Sequence, residues 1–298
     1  MGEERRWETM LPLVVGIDGS DCSLEAVDWA VREAAVHGLL LRLVYASRWE
    51  RYEGVSPADS PDRPSEQVLI DTLVAAAAER ARRADPAVEV VTDVLAEDTV
   101  TTLVNESHHA AMLVTGSRGR GGLKGRLLGS VSLGVAARAH CPVVVVRGDR
   151  AGWETTGRPV LLGVPDPDEG SSAVRYAFQE AAARGCRLEA VRAWRTPLFK
   201  ALGHPRAPGG SGADGQEAAA DRIDAAVADG AREHPGLALH RTTAEGPAHK
   251  VLVQGSAAAG LVVVGARRRH GHGGLQLGKV AHAVLHHSEC PVAVVPDV

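Results

Sequence analysis

The sequence predicts an α/β fold with two tandem doubly wound domains, each a five-stranded parallel sheet with helices on both faces. Three observations lead to this prediction: strand-like and helix-like segments alternate, the whole pattern occurs twice, and the strand-like segments are short apolar runs rich in valine. Strict alternation produces right-handed crossovers between parallel strands. Strands that are covered on both faces are apolar on both sides, so they read as continuous β-branched runs.

The repeat is clearest at the two ends of each half. Cys141-Pro-Val-Val-Val-Val returns as Cys290-Pro-Val-Ala-Val-Val at a spacing of 149 residues. Near the start of each half, Val15-Gly-Ile matches Leu162-Gly-Val at a spacing of 147 residues. Two spacings that agree this closely over a whole domain indicate a duplication.

Within the first half, strands and helices follow one another in order. The predicted strands cover 11–17, 39–46, 88–95, 112–115 and 143–147, and the predicted helices cover 20–37, 65–84, 98–108 and 129–140. The second half repeats this order from Val160 to Val295. Glycines and a closing proline punctuate the stretch between the halves, so we expect domain 1 at residues 10–148, a linker at 149–159 and domain 2 at 160–298.

The last strand of each half also predicts how the domains pair. Val143–Arg147 and Val292–Val295 are apolar and lack the charges that protect a free sheet edge. We therefore expect these two strands to pair within the chain.

Composition argues against several classes of function. A net charge of −4 and an aromatic content of 3% disfavour nucleic-acid binding, which needs a basic face or a stacking platform. The four cysteines form no Cys-x-x-Cys pair, so neither a zinc site nor a disulfide framework is predicted. The sequence shows no secretory signal and no apolar run that could span a bilayer, so we expect a cytoplasmic protein without membrane contact.

A glycine-rich loop after the fourth strand carries the strongest functional signal. It reads Gly-Ser-Arg-Gly-Arg-Gly-Gly-Leu-Lys-Gly-Arg-Leu-Leu-Gly-Ser-Val-Ser from Gly116 to Ser132. Glycines let backbone N–H groups approach an anion, and the unpaired N–H groups at a helix start favour phosphate. In open parallel sheets, ligands bind at the carboxyl ends of the strands. The loop therefore predicts a phosphate site, with helix capping as the alternative role of Ser130 and Ser132.

The spacing Gly-x2-Gly-x9-Gly-Ser in this loop resembles the ATP-binding signature of the universal stress protein family. Val14-Val-Gly-Ile-Asp-Gly-Ser resembles the family's first strand and the acidic residue after it, and the Cys-Pro-Val run resembles its last strand. The resemblance spans both halves, as in the tandem-domain members. It implies that ATP is the ligand, with Mg²⁺ as an optional companion, and that two chains associate as a homodimer.

Carried onto this sequence, the resemblance implies a set of cofactor-binding residues in domain 1. Asp18 would lie against the adenine and ribose, and Ala46 would offer backbone contacts to the base. Thr115 and Gly116 would line the ribose. The residues that would surround the phosphates belong to the loop and the helix start, namely Arg118, Gly119, Gly129, Ser130, Val131 and Ser132. Position alone also favours Asp18, since an acidic side chain at a strand's carboxyl end enters the crevice; its alternative role is to cap the next helix.

The second domain departs from this pattern. Pro165, Arg268 and Lys279 stand at the positions of the aspartate, the second loop glycine and the first serine of the helix. The outer glycines survive as Gly265 and Gly278. We therefore expect ATP in domain 1 and an empty or altered site in domain 2. Two outcomes stay open there: the arginines at 267–269 and Lys279 fill the phosphate pocket themselves, or they hold a different anion.

The leading hypothesis is an ATP-binding regulatory protein with a role in the stress response and at most weak ATP hydrolysis. The alternatives are a slow ATPase or nucleotidyl-transfer enzyme that uses the same pocket, and a dimeric scaffold that binds no ligand. No nucleophile elbow or His-Glu-x-x-His pattern occurs in the sequence, so no catalytic residue is assigned. His282 and His286 share a helix face, but no carboxylate or cysteine joins them at a supporting spacing, so no metal site is assigned.

Overall fold

The computed structural model describes residues 11–46, 66–119, 128–148, 150, 155, 157–166, 171–195, 212–266 and 277–297. The chain forms two compact units, Met1–Val146 and Arg147–Val298. Within the described ranges, no helix has both the length and the apolar character that crossing a membrane requires.

In the first unit, five parallel strands form one sheet. The strands are β1 (Leu13–Ile17), β2 (Leu41–Ala46), β3 (Val90–Leu95), β4 (Met112–Gly116) and β5 (Val143–Val146), in the order β3-β2-β1-β4-β5. The helices are α1 (Asp21–His37), α2 (Glu66–Ala84), α3 (Thr99–Glu106) and α4 (Ser130–Ala136). Because β1 pairs with β2 on one side and with β4 on the other, the strand order switches between β1 and β4. A switch of this kind leaves a crevice at the carboxyl ends of the two strands.

The second unit repeats this topology. Its strands are β6 (Val160–Gly163), β7 (Leu188–Trp194), β8 (Leu239–Glu245), β9 (Leu261–Ala266) and β10 (Val292–Pro296), in the order β8-β7-β6-β9-β10. Its helices are α5 (Ser171–Ala183), α6 (Gly212–Glu233), α7 (Ala248–Ser256) and α8 (Lys279–His287). The predicted fold class, two tandem α/β domains with parallel sheets, is confirmed.

The cores of both units consist mainly of small and branched apolar side chains. Every residue of β4, β5 and β10 is buried, as expected for strands that are covered on both faces. On α1, Ala26, Ala30 and Ala34 recur every four residues and have no exposed surface. This spacing forms one helix face, and small side chains let the helix pack closely on the sheet. Each large apolar side chain that is fully buried stabilises the fold by roughly 1.5–3 kcal/mol.

The third helix of the first unit ends earlier than the predicted range of 98–108. α3 ends at Glu106, and a 3-10 turn at Ser107–His109 follows it. The Ser107 hydroxyl donates to the carbonyl of Val104 at 2.6 Å and accepts the N–H of His140 at 2.9 Å. It therefore binds the end of α3 to the segment that leads into β5. This long-range bond also accounts for His140 lying outside α4, which was predicted to extend to it.

The same arrangement occurs in the second unit. The Ser256 hydroxyl donates to the carbonyl of Val253 at 2.6 Å and accepts the N–H of Glu289 at 2.9 Å. Ser256 lies 149 residues after Ser107, which is also the spacing of the repeated Cys-Pro motif. The duplication thus extends from the strand order to individual side-chain hydrogen bonds.

Candidate functional site

Asp18 lies just beyond the end of β1, at the crevice of the first unit. Its Oδ1 accepts hydrogen bonds from the backbone N–H of Ser20 at 2.9 Å and from the Ser20 hydroxyl at 2.6 Å. Ser20 is also the N-cap of α1, because its side chain accepts the N–H of Ser23 at 3.2 Å. The capping role that was open to Asp18 is therefore performed by Ser20. Asp18 instead forms a turn that fixes one of its carboxylate oxygens.

The second oxygen of Asp18 is directed at the glycine loop. A Cβ added to Gly119 would lie 2.6 Å from Asp18 Oδ2, which is closer than real Cβ atoms approach any heavy atom. The fold therefore brings together two predicted site residues that are 101 positions apart in the sequence. A side chain at position 119 would displace the carboxylate from this place.

The end of β4 rests directly on the start of α1. A Cβ added to Gly116 would lie 2.4 Å from the carbonyl oxygen of Cys22 and 2.9 Å from the backbone N of Ser23. The hydroxyl of Ser20 also lies 3.3 Å from the carbonyl oxygen of Arg118. The backbone of Gly116 thus packs directly on the backbone of Cys22 and Ser23. This contact fixes the position of the loop relative to the sheet.

The start of α4 closes the other side of the loop. The N–H of Gly129 donates to the carbonyl of Ser117 at 2.8 Å. Ser130 is exposed, and the N-cap residue Gly129 supplies no side-chain cap. Ser132 is buried, and its hydroxyl donates to the carbonyl of Gly116 at 2.6 Å. Of the two serines, Ser130 therefore faces outward, while the Ser132 side chain holds the loop.

Thr115 and Ala46 lie at the ends of neighbouring strands. Thr115 is buried in β4, and its hydroxyl has no hydrogen-bond partner within the described part of the chain. Ala46 ends β2, and its carbonyl accepts a hydrogen bond from Thr99 Oγ1 at 3.0 Å. Because Tyr45 pairs with Ile17, Ala46 is level with Asp18 at the carboxyl edge of the sheet. The remaining cations of the loop, at 120, 124 and 126, lie outside the described residues.

Sequence reasoning missed Ser20, although a signal for it was present. Asp-Gly-Ser after a strand is typical of a turn in which the aspartate accepts from the residue two positions later. Gly19 has a φ of +76° in this turn, a conformation that side chains rarely adopt. Ser20 is thus the residue that orients Asp18.

The second unit has a cavity of about 610 Å³ at the equivalent edge of its sheet. Pro165 follows β6 where the first unit has its aspartate, and Arg192 on β7 reaches across this end. The guanidinium of Arg192 donates to the carbonyls of Val164 at 3.0 Å and Pro165 at 2.6 Å, and it also binds Asp166. Position 192 corresponds to Tyr45 of the first unit, so the repeat alone did not indicate this contact. The arginines at 267–269 lie outside the described residues.

The cysteines before the last strands are packing residues. Burial raises the pKa of the Cys141 thiol and of the Cys290 thiol to about 12 in each case. Burial also raises the pKa of Cys186, whereas Cys22 is half-buried at the start of α1. At about pH 8 the two deeply buried thiols therefore remain protonated, and the thiolate is the reactive form.

A thiol reagent such as dithionitrobenzoate is therefore expected to modify one cysteine, Cys22, in the native protein at about pH 8 and all four in denaturant. Absorbance at equilibrium and peptide mapping measure this, and Cys22→Ser is the control that should leave no fast-reacting thiol. Rapid modification of Cys141 or Cys290 in the folded protein would contradict the prediction.

Comparisons with known proteins identify the family of this chain. The sequence model of the universal stress protein family matches the chain twice, over residues 10–147 and 157–296. Universal stress protein Rv2005c of Mycobacterium tuberculosis is 34% identical over 294 residues, which are 95% of this chain and 96% of that protein. Universal stress protein Rv1996 of the same species is 32% identical over 306 residues, which are 96% of this chain and 95% of that protein.

The fold is also similar to solved structures. The crystal structure of a universal stress protein from Archaeoglobus fulgidus superposes with a TM-score of 0.64, covering 96% of this chain and 98% of that chain. At 20% identity this similarity supports the fold alone. Two family matches in succession, and relatives that align over nearly their whole length, show that this chain belongs to the universal stress protein family in its tandem-domain form.

Proposed function

We propose that the first unit binds one ATP per chain and that the protein is an ATP-binding regulator in the stress response. The observation that carries the proposal is the contact between Asp18 and Gly119, where a Cβ would lie 2.6 Å from the carboxylate. The oriented carboxylate of Asp18 lies against a glycine loop whose spacing resembles the ATP-binding signature of the family. Both lie at the switch point of the sheet, which is where doubly wound sheets bind nucleotides.

The described groups are suited to the two ends of a nucleotide. Asp18 Oδ1 accepts from Ser20, and Asp18 Oδ2 is directed at Gly119, where it would accept from a ribose hydroxyl. At the other end, the N–H groups of Ser130, Val131 and Ser132 precede the first intrahelical bond, which joins Leu133 N to Gly129 O. Such N–H groups have no acceptor within their helix, so phosphate oxygens can accept from them. ATP would therefore span the crevice from β1 to α4.

ATP would act in this protein as a ligand that shifts a conformational equilibrium. A ligand changes that equilibrium only by binding one state better than another. The loop contacts α1 through Gly116 and α4 through Ser132. Binding of ATP to the loop would therefore alter the contacts of both helices. The rival enzyme hypothesis uses the same pocket and differs in predicting turnover.

Asp18→Asn is expected to weaken ATP binding by roughly tenfold to a hundredfold, the value of a hydrogen bond to a charged acceptor. Asparagine keeps the oxygen that accepts hydrogen bonds from Ser20, so the fold should persist. The substitution removes the negative charge of the carboxylate. Isothermal titration of the full chain with ATP, with and without Mg²⁺, measures the affinity and a stoichiometry of one. Asp71→Asn removes an exposed carboxylate of α2 and serves as the matched control.

Release of bound molecules from the purified protein by denaturation provides a second measurement, and we expect ATP among them. A protein that carries no ATP and shows no ATP affinity would exclude the proposal in favour of a scaffold. ATP turnover at ordinary enzyme rates of about 1–10³ per second, lost in Asp18→Ala, would favour the enzyme instead. Association of two chains and a cytoplasmic location belong to the same proposal; light scattering and cell fractionation test them.

A further inference from the structure

The cavity of the second unit differs in chemistry from the site of the first. The volume of about 610 Å³ is within the range of small-molecule sites, roughly 300–1,000 Å³. Its walls include Val191 from β7, Val251 and Leu252 from α7, and Val264 from β9. Two of the lining residues, Val264 and Ala281, occupy the positions of Thr115 and Ser132, so the cavity lacks both hydroxyl groups.

The end of β6 lacks the acceptors that a ribose would need. Pro165 has neither a carboxylate nor an N–H group at this position. The carbonyls of Val164 and Pro165 both accept from Arg192. The same guanidinium pairs with Asp166, and the Arg192 side chain is only 13% exposed. The polar groups at this end of the cavity therefore bind one another. A ribose could bind here only by displacing the ion pair between Arg192 and Asp166.

The opposite end of the cavity carries a positive charge. Lys279 is exposed at the first position of α8, next to the N–H groups of Val280 and Ala281. Since Asp166 and Arg192 neutralise each other, Lys279 is the one uncompensated charge among the described lining residues. A positive charge beside valine and leucine side chains suits a ligand with a negatively charged group and an apolar body.

We propose that the second unit binds a small organic carboxylate with an apolar body instead of a nucleotide. The carboxylate lies at Lys279 and the first turn of α8, and the body lies against Val191, Val251 and Val264. This assignment is independent of ATP binding in the first unit, because all the residues involved belong to the second.

Titration of the full chain with octanoate, 1-octanol and ATP tests the proposal. Octanoate is expected to bind at one site, and octanol, which has the same body without the charge, is expected to bind roughly tenfold more weakly. ATP should not displace octanoate. Gly119→Val in the first unit should leave octanoate binding unchanged. The proposals for the two units can therefore be tested independently.

A matched pair of variants locates the carboxylate. Lys279→Ser, which introduces the residue of the first unit, should weaken octanoate binding by about threefold to fivefold, as for a partly exposed ion pair. Lys250→Ser removes an exposed lysine of α7 that does not line the cavity, and octanoate should bind to it as to the parent. Because Lys279 is exposed, its variant should fold, and circular dichroism checks this. The proposal would be overturned if octanoate did not bind or if ATP displaced it. It would also be overturned if Lys279→Ser bound octanoate as tightly as the parent protein.

Discussion

Gly119→Val is expected to abolish ATP binding to the first unit while leaving the protein folded. The valine Cβ would lie 2.6 Å from Asp18 Oδ2, and the carboxylate cannot move away freely because Ser20 holds its other oxygen through two hydrogen bonds. Displacing it removes an acceptor worth roughly 1.5–3 kcal/mol, and the added side chain blocks the approach to the loop backbone, so ATP affinity should fall by at least about a hundredfold.

Calorimetric titration with ATP measures this loss, and thermal unfolding checks the fold. Gly119 is exposed, so the free energy of unfolding should change little. Gly236→Ala is the matched control, since an added Cβ there has no atom within 4 Å. ATP affinity within a factor of three of the parent would show that the phosphates do not lie at this loop.

Gly116→Ala is expected to destabilise the first unit by about 3 kcal/mol, at the upper end of the cost of overpacking. The new Cβ would lie 2.4 Å from the carbonyl oxygen of Cys22 and 2.6 Å from its carbonyl carbon. These are backbone atoms at the start of α1, and Gly116 itself pairs with Val146 in the sheet. Neither side can move without breaking hydrogen bonds of a strand or a helix.

Urea unfolding followed by circular dichroism measures this change, with the transition of each unit analysed separately because a chain of two units need not unfold in one step. Gly129→Ala is the control in the same loop: its added Cβ would have no atom nearer than 3.5 Å, which is ordinary contact. A Gly116→Ala protein as stable as Gly129→Ala would show that the contact with Cys22 relaxes easily.

The fold could be predicted from the sequence because its signals are local or periodic. Valine-rich runs alternate with helical segments, and the Cys141 and Cys290 motifs mark the same point of each repeat. The errors were at the ends of elements: β1, β2 and β3 each begin two residues later than predicted, and α3 and α4 end earlier. The hydroxyl of Ser107 receives an N–H from His140, 33 residues away, and no local pattern indicates which distant N–H a serine will accept.

The candidate site could be predicted only in part. The resemblance to the family placed Asp18 and Gly119 in one site, and the structure brings them together, while their role toward ATP stays a prediction. Arg192 was missed because its partners at Val164 and Pro165 are adjacent only through the pairing of β6 with β7. The cavity was missed for a similar reason, since its walls come from β6, β7, α7, β9 and α8, which are far apart in the sequence.

The serine hydrogen bonds at Ser107 and Ser256 have a consequence for how the two halves evolved after duplication. They lie at the amino-terminal edge of the sheets, where both copies kept the serine and its backbone partners at equivalent positions. At the carboxyl-terminal edge the copies diverged: Thr115 has a valine counterpart and Ser132 an alanine counterpart, in a strand and a helix that still form. The second copy thus forms the equivalent strand and helix without either hydroxyl.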